Sequence, residues 1–471
     1  MSPGLVRTLR IRSKRRPGGL GLLASAFGDA GASLGEIQTV RIGHNTTLRD
    51  FQLLLDDEEH LGAVLDAIRP LEDCELVEVL DTVERVHRGG KIRMRSRLAF
   101  SGVSDLSAAH MPGMKQAAQS IADDPALVTL YSAVGRTVAV VTDGSGVTGL
   151  DQVAAAAVLP VVEAKCALLA HFAGLSGLPL CLNIHSEDQF VETMVALAPS
   201  YSAIIVESVS APRGQRVALR LSERLKIPVM HDGADGPAIV GLAAIVNAVR
   251  AVGRNFSDVV IGQIGLGTAG GAIARLVMKH QGKPVLGEDF HPGSVSRHVA
   301  HGGIASSIDE VMSRCDVVVM NTGAPGLIPP SKVREGQVIL ALSEPRPEIE
   351  PYDAQLAGAA FAADGRAIST ASAFPGVLLG ALAVRASCID DSMRIAAALA
   401  MVDLADGHDL VPVPLQPGIH AAIAAAVARA AVVKGIAAVD VDVALLVPSL
   451  FEELIADERL LPLRPPYGSG G

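Results

Sequence analysis

Three features of the sequence predict an α/β chain of three domains. About the first ninety residues alternate in the order strand–helix–strand–strand–helix–strand. Beyond them, short apolar strands alternate with Ala/Leu-rich helices. Near residue 260 one such strand runs directly into a glycine-rich helix start. Composition agrees: 49% of residues are hydrophobic but only 3% aromatic, with no Trp, so the apolar content is Ala, Val, Leu and Ile, which suits helices packed on parallel strands. A length of 471 residues fits two or three domains with sizeable cores.

The first domain is predicted over residues 1–90. "VRTLRIRS" alternates as a strand, and "PGGLGLLASAFGDAGASL" is a helix opened by Pro17-Gly18 and closed at Gly28–Gly31. "EIQTVRIGH" and "LRDFQLLLDD" are strands around an Asn-Thr turn, followed by the helix "EEHLGAVLDAIRPL" and a closing strand "CELVEVLDTVERV". This is a ferredoxin-like βαββαβ pattern. With Pro17-Gly18-Gly19-Leu20 where the first strand meets the first helix, it resembles an ACT regulatory domain, which implies a small-molecule effector; a purely structural or dimerising module fits the same pattern. "HRGGKIRMRSR" (87–97) reads as a connector. The second domain is predicted over 91–245, with strands in "TVAVVTDG", "LPLCLNI" and "YSAIIVES". The third runs over 246–463, and the last residues, "PPYGSGG", read as a frayed tail.

The net charge of −10 argues against nucleic acid as a partner, because phosphate binding needs a basic face. "RTLRIRSKRR" (7–16) is basic, but no apolar run with a small-residue cleavage site follows, so no signal peptide is expected. A mean hydropathy of +0.37 is high, yet Arg429 and Lys434 interrupt the longest Ala/Val run, "IHAAIAAAVARAAVVKGIAAV". A buried helix, and no membrane span, is the expectation there. Five cysteines without a CxxC pair suggest reduced thiols and a cytoplasmic protein.

The sharpest motif is "VVIGQIGLGTAGGAIARLVMKHQGKPVLGEDF" (259–290). Gly265-Leu266-Gly267-Thr268-Ala269-Gly270 follows a strand and opens a helix, the context of a Rossmann dinucleotide fingerprint. Gly265 permits the tight turn, Gly267 lets the backbone approach a pyrophosphate, and Gly270 lets helix and strand pack closely. Thr268 and Ala269 then present first-turn N–H groups to the phosphates. Glu288 or Asp289, at the end of the next strand, is placed to accept from a ribose 2′-OH. An acidic residue there points to NAD, while Arg297 and His298 nearby leave NADP as the alternative. "CDVVVMNTGAPGLIPP" and "VILALSEPRPEIEP" are strands followed by loops that would flank the nicotinamide, Gly323 among them.

Between these signals stand "SAAHMPGMKQAAQSIADDP", "VAVVTDGSGVTGL", "PVVEAKCALLAHFAGL", "IIVESVSAP" and "IPVMHDGADGPAIVGLAAIVNAV". In this order, with Gly89-Gly90-Lys91-Ile92, "GAPG" and "AFPGVLLGALAVRA", the chain resembles the malic enzymes over nearly its whole length. That resemblance implies NAD(P)-dependent oxidation and decarboxylation of a 2-hydroxy diacid with Mg2+ or Mn2+. It implies Lys165 as the base, with a pKa lowered by apolar neighbours. His110 stands where the family carries its Tyr acid. Glu207 and Asp232 are the implied metal carboxylates, Asp232 being counted with the catalytic residues too. Ser208 and Gly233 replace two further carboxylates, which implies a weakened metal site, and Asp235 reads as a turn former before Gly236. Glu344 and Ser369-Thr370 stand where the family has substrate-contacting Asn, so a different 2-hydroxy acid, or a lyase reaction, is the alternative. A non-catalytic nucleotide-binding regulator is the third reading. Malic enzymes are oligomers, so a homo-oligomer is expected.

Overall fold

In the computed structural model, which describes residues 5–96, 103–147, 153–184, 186–344, 346–407 and 409–439, the chain divides into two compact units, Met1–Arg93 and Met94–Gly471. The predicted frayed tail, and the end of the third domain with it, lie outside the described residues.

In the first unit, alternation along the chain produces four strands: β1 (Leu5–Lys14), β2 (Ser33–Ile42), β3 (Thr46–Leu55) and β4 (Cys74–Leu80). They form an antiparallel sheet in the order β2-β3-β1-β4. Helices Gly19–Asp29 and Glu58–Ile68 cover one face, where Leu9, Ile11, Leu23, Phe27, Phe51, Leu53 and Val64 form the core. The basic run of the N-terminus belongs to β1, and its cations meet acids along the sheet. Arg10 pairs with Asp50 at 2.8 Å, directly across the ladder, and Arg12 with Glu75 at 2.5 Å. The last predicted strand is too long. It stops at Leu80, because Asp81 caps a helix over Thr82–His87 by accepting from the Glu84 N–H at 2.8 Å; that hydrogen bond satisfies a first-turn donor and turns the chain out of the sheet.

The second unit contains two parallel sheets. One is ordered β6-β5-β7-β8, from β5 (Thr137–Thr142), β6 (Ser176–Cys181), β7 (Ala203–Val206) and β8 (Val229–His231). The other comprises β9 (Ile261–Ile264), β10 (Leu286–Glu288), β11 (Ile304–Ala305), β12 (Val317–Met320), β13 (Val338–Ala341) and β14 (Phe361–Asp364). Its order is β11-β10-β9-β12-β13-β14, so the winding reverses between β9 and β12. That reversal opens a crevice beyond the carboxyl ends of these two strands. β5, β7, β12 and β13 are buried throughout, which explains their unbroken apolar sequence.

The helix Asp232–Ala251 joins the two sheets. It leaves β8 and packs against helices Thr268–Gln281 and Asp391–Leu404. By length and composition it could cross a membrane; here Ile239, Leu242, Ala243, Ile245 and Val249 are buried inside the protein.

Buried histidines make this unit sensitive to acid. His420, 4% exposed, has its ring 4.5 Å from that of Phe172 and its Nε2 3.1 Å from the Pro414 carbonyl. Burial lowers its pKa from 6.5 to about 4, the Pro414 contact opposing and His171 adding to the effect. Burial also lowers His298. A depressed histidine pKa means that the unfolded chain binds the proton first as pH falls. The stabilisation is therefore complete above about pH 6.5 and is lost towards pH 4, where His420 alone accounts for about 3 kcal/mol. Melting temperature should fall across this window, and His420→Gln should flatten the fall.

Candidate active site

Three side chains meet at the carboxyl edge of the sheet β6-β5-β7-β8. Glu207 follows the last residue of β7, and Asp232 follows β8 as the first residue of the long helix. Lys165 reaches them from the helix Leu159–Ala173. Its Nζ lies 2.7 Å from Asp232 Oδ1 and 3.4 Å from Glu207 Oε2, and 4.5 Å from the centre of the Phe374 ring. Ser208 Oγ donates to Glu207 Oε1 at 3.0 Å from a left-handed backbone, φ 49°.

Lys165 is buried, but its pKa is not lowered. Burial favours the neutral amine, and the Asp232 and Glu207 charges, with the Asp232 hydrogen bond, outweigh it and hold the group above its ordinary value. The expectation of a depressed lysine counted the apolar neighbours in sequence and missed the carboxylates across the fold. Glu207 is raised, first by burial and then by the charge of Asp232, against the opposing effects of Lys165 and Ser208. Its Oε2 is buried without a hydrogen-bond partner.

Asp235 is not in a turn. It lies in the first turn of the Asp232–Ala251 helix, with Oδ2 accepting from the His231 N–H at 2.8 Å and Oδ1 accepting from Arg394 Nε at 2.7 Å. His110 is not brought to this group. It is exposed on the bend between helices Val103–Ala109 and Gly113–Asp123, and among the described residues no hydrogen bond or ion pair joins it to Lys165, Glu207 or Asp232.

The glycine turn lies at the crevice of the second sheet. Gly265 has φ +87°, and a Cβ there would stand 2.4 Å from the Asn321 carbonyl oxygen. At Gly270 a Cβ would be 2.0 Å from the Gly265 carbonyl oxygen, so the helix is pressed against the turn. At Gly267 a Cβ would meet nothing within 4 Å. That open space is a cradle that a side chain would fill, beside the first-turn N–H groups of Thr268 and Ala269, which have no acceptor within their own helix. Asp289 takes both the Leu266 and the His291 N–H, each at 2.7 Å, and so fixes the turn. The half-buried Glu288 is raised by burial and by Asp289.

Gly267→Val is expected to leave the fold intact, since its Cβ enters free space, and to weaken dinucleotide binding by about tenfold or more by calorimetry. Unchanged affinity would remove the turn as the dinucleotide site.

On the other side of the crevice, buried Glu348 accepts from the Thr322 N–H at 2.7 Å and from Ser343 Oγ at 2.6 Å, while the Gly323 N–H (φ +68°) donates to Ser343 Oγ at 2.8 Å. In the sequence Glu348 lies in a proline-rich loop, "EPRPEIEP", with no local signal of this role. The same holds for Arg213, which pairs at 3.0 Å with Asp143 of the "TDG" segment. Thr370 packs against the start of the long helix, its Cβ 3.1 Å from where a Gly236 Cβ would be. Glu344 is exposed and its chain runs beside Gly365.

This sequence is 41% identical over 429 residues to the NAD-dependent malic enzyme 1 of Bacillus subtilis, an alignment spanning 91% of this chain and 98% of the relative. The chain belongs to the malic enzyme family. A bifunctional malic/malolactic enzyme of the same bacterium is 33% identical over 381 residues, 75% of this chain and 92% of the relative. In three dimensions, the malic enzyme of Pyrococcus horikoshii superposes with a TM-score of 0.73 at 32% identity, covering 78% of this chain and 92% of that one. No family model matches the sequence. These malic enzymes are matched over most of their own length.

Proposed function

We propose that the chain catalyses NAD-dependent oxidative decarboxylation of malate or a closely related 2-hydroxy acid. The observation that carries this reading is the buried Lys165 amine held between Asp232 and Glu207 at a strand-end edge. Support for a small divalent cation comes from two carboxylates that converge on Lys165: Glu207 Oε2 makes no hydrogen bond and lies 3.4 Å from the ammonium that a cation would displace, although among the described residues no group of three or more His, Cys, Asp or Glu gathers there. Mg2+ and Mn2+ accept as few as one or two protein carboxylates when substrate and water complete the shell. A cation bound there would supply Lewis-acid polarisation of the substrate's oxygen, and a bound NAD would supply the hydride acceptor. Glu207 and Asp232 would hold the cation, and the glycine turn with Thr268 and Ala269 would hold the pyrophosphate. Lys165 is placed to take the proton of the 2-hydroxyl. After decarboxylation it could return a proton to the enol carbon, since His110 makes no hydrogen bond or ion pair with Lys165, Glu207 or Asp232 among the described residues. A cation held by Glu207 and Asp232 would offset the carboxylate charge that holds the Lys165 ammonium protonated.

In this reading residues 1–90 are an ACT-like regulatory domain, 91–245 the catalytic domain and 246–463 a Rossmann NAD(P) domain. The sheet orders support it. A cavity of about 410 Å3 between Ser13 and Gly21, flanked by Lys14, Arg15, Arg16 and Arg49, suits a small anionic effector. The open edges of the first sheet suit pairing between copies, so light scattering at micromolar concentration is expected to give at least a dimer; a monomeric mass would contradict it.

The deciding experiment is a spectrophotometric screen of malate, tartrate and lactate with NAD and NADP, with and without Mn2+. NADH and pyruvate from malate, dependent on Mn2+, support the reading. Lactate without net NADH transfers it to the lyase alternative, and NAD binding without turnover to a regulator.

A further inference from the structure

We propose that Asp235 and Arg394 are positioning residues, a buried ion pair that sets the first turn of the Asp232–Ala251 helix and so holds Asp232 opposite Lys165. The inference rests on the reading of Glu207 and Asp232 as cation ligands, and adds what orients one of them.

Asp232 opens its helix with no side-chain cap at the preceding residue, His231. Two glycines, Gly233 and Gly236, and Pro237 follow within the first turns, a sequence with little intrinsic helical preference. What fixes the turn is Asp235. One carboxylate oxygen takes the N–H of His231, the residue before Asp232, at 2.8 Å; the other takes Arg394 Nε at 2.7 Å. Asp235 is 8% exposed, and the Arg394 side chain 14%. Arg394 is held in turn by Asp391 at 3.1 Å, and Asp391 by Arg275 at 2.6 Å. Arg275 belongs to the Thr268–Gln281 helix that the glycine turn opens. The carboxylate beside the reacting lysine is thus tied, through four charged groups, to a rigid element of the second sheet. Partners of this kind, which orient a ligand without touching the metal, change metal affinity or activity by about 10–100-fold when removed.

Asp235→Leu removes the acceptor and leaves Arg394 paired with Asp391. It is expected to raise the half-saturating Mn2+ concentration, measured by electron paramagnetic resonance without substrate, by about tenfold, and to lower kcat by a similar factor. The Kd for NAD should stay within about threefold. Asp235→Asn keeps an oxygen for the His231 N–H and should restore Mn2+ affinity to within about threefold of the parent. A folded Asp235→Leu protein with parental Mn2+ affinity overturns the proposal, and so does parallel loss of Mn2+ and NAD binding with no rescue by asparagine. If the parent itself binds no Mn2+, the metal reading fails. The positioning role is then decided by the crystal structure of Asp235→Leu: Asp232 still within hydrogen-bond distance of Lys165 refutes it, and a displaced Asp232 supports it. Should Asp235→Leu not fold, Arg394→Lys, which keeps the charge and loses the fork, carries the same measurements with the same expected directions.

Discussion

Lys165→Met is expected to lower kcat by about a thousandfold while NAD affinity by calorimetry stays unchanged. Methionine fills the space of the lysine stem beside Phe374, so the loss reports the amine and not a cavity. The same substitution should have an opposite effect on the metal. In the parent, the Lys165 ammonium lies 2.7 Å from Asp232 and 3.4 Å from Glu207 and competes with any cation for them. Without it the buried Glu207 and the partly buried Asp232 lose their shared cation, and Mn2+ should bind more tightly. A variant that loses turnover while gaining Mn2+ affinity separates a catalytic amine from a structural one. Near-parental kcat would remove Lys165 from the reaction.

The second large effect concerns Glu207. Glu207→Ala should abolish Mn2+ binding, since it deletes the buried, hydrogen-bond-free oxygen and leaves Asp232 alone. Conversely, the double variant Ser208→Asp, Gly233→Asp should tighten Mn2+ by about tenfold in the absence of substrate, because ligand charge sets affinity at such sites. The backbone accepts both changes. Ser208 has φ 49°, a region that aspartate tolerates better than most residues. A Cβ at Gly233 would be 3.4 Å from His231 Cε1 and 3.6 Å from Thr268 Cγ2, ordinary contacts. Titration followed by electron paramagnetic resonance measures both. If the double variant binds no better than the parent and Glu207→Ala changes nothing, the cation reading is wrong.

What the sequence made legible was local. The glycine turn could be read because its strand, turn and helix are contiguous, with Gly265 and Gly270 each pressed against a backbone oxygen and Gly267 bordering open space. The strand ends carrying Glu207 and Asp232 emerged from the resemblance to malic enzymes, and nothing in the spacing of Lys165, Glu207 and Asp232 predicts that they touch. Asp235 was misread because glycines and a proline surround it; the helix there is held by Arg394, 159 positions away, and tertiary packing overrides local preference. Glu348 and the Asp143–Arg213 pair were missed for the same reason. Val83 and Val86 prolong an apolar pattern that reads as strand, and the cap at Asp81 decides for the helix Thr82–His87.

The helix Asp232–Ala251 has a consequence for synthesis. Its apolar surface is covered by Thr268–Gln281 and Asp391–Leu404, segments that leave the ribosome later. A nascent chain whose residues up to about 256 have left the ribosome carries the sheet β6-β5-β7-β8 with an uncovered greasy rod, the kind of surface that chaperones bind and that aggregates at high expression. Splitting the gene at that point should therefore yield an insoluble first fragment when made alone, and a soluble pair when both halves are made in the same cell.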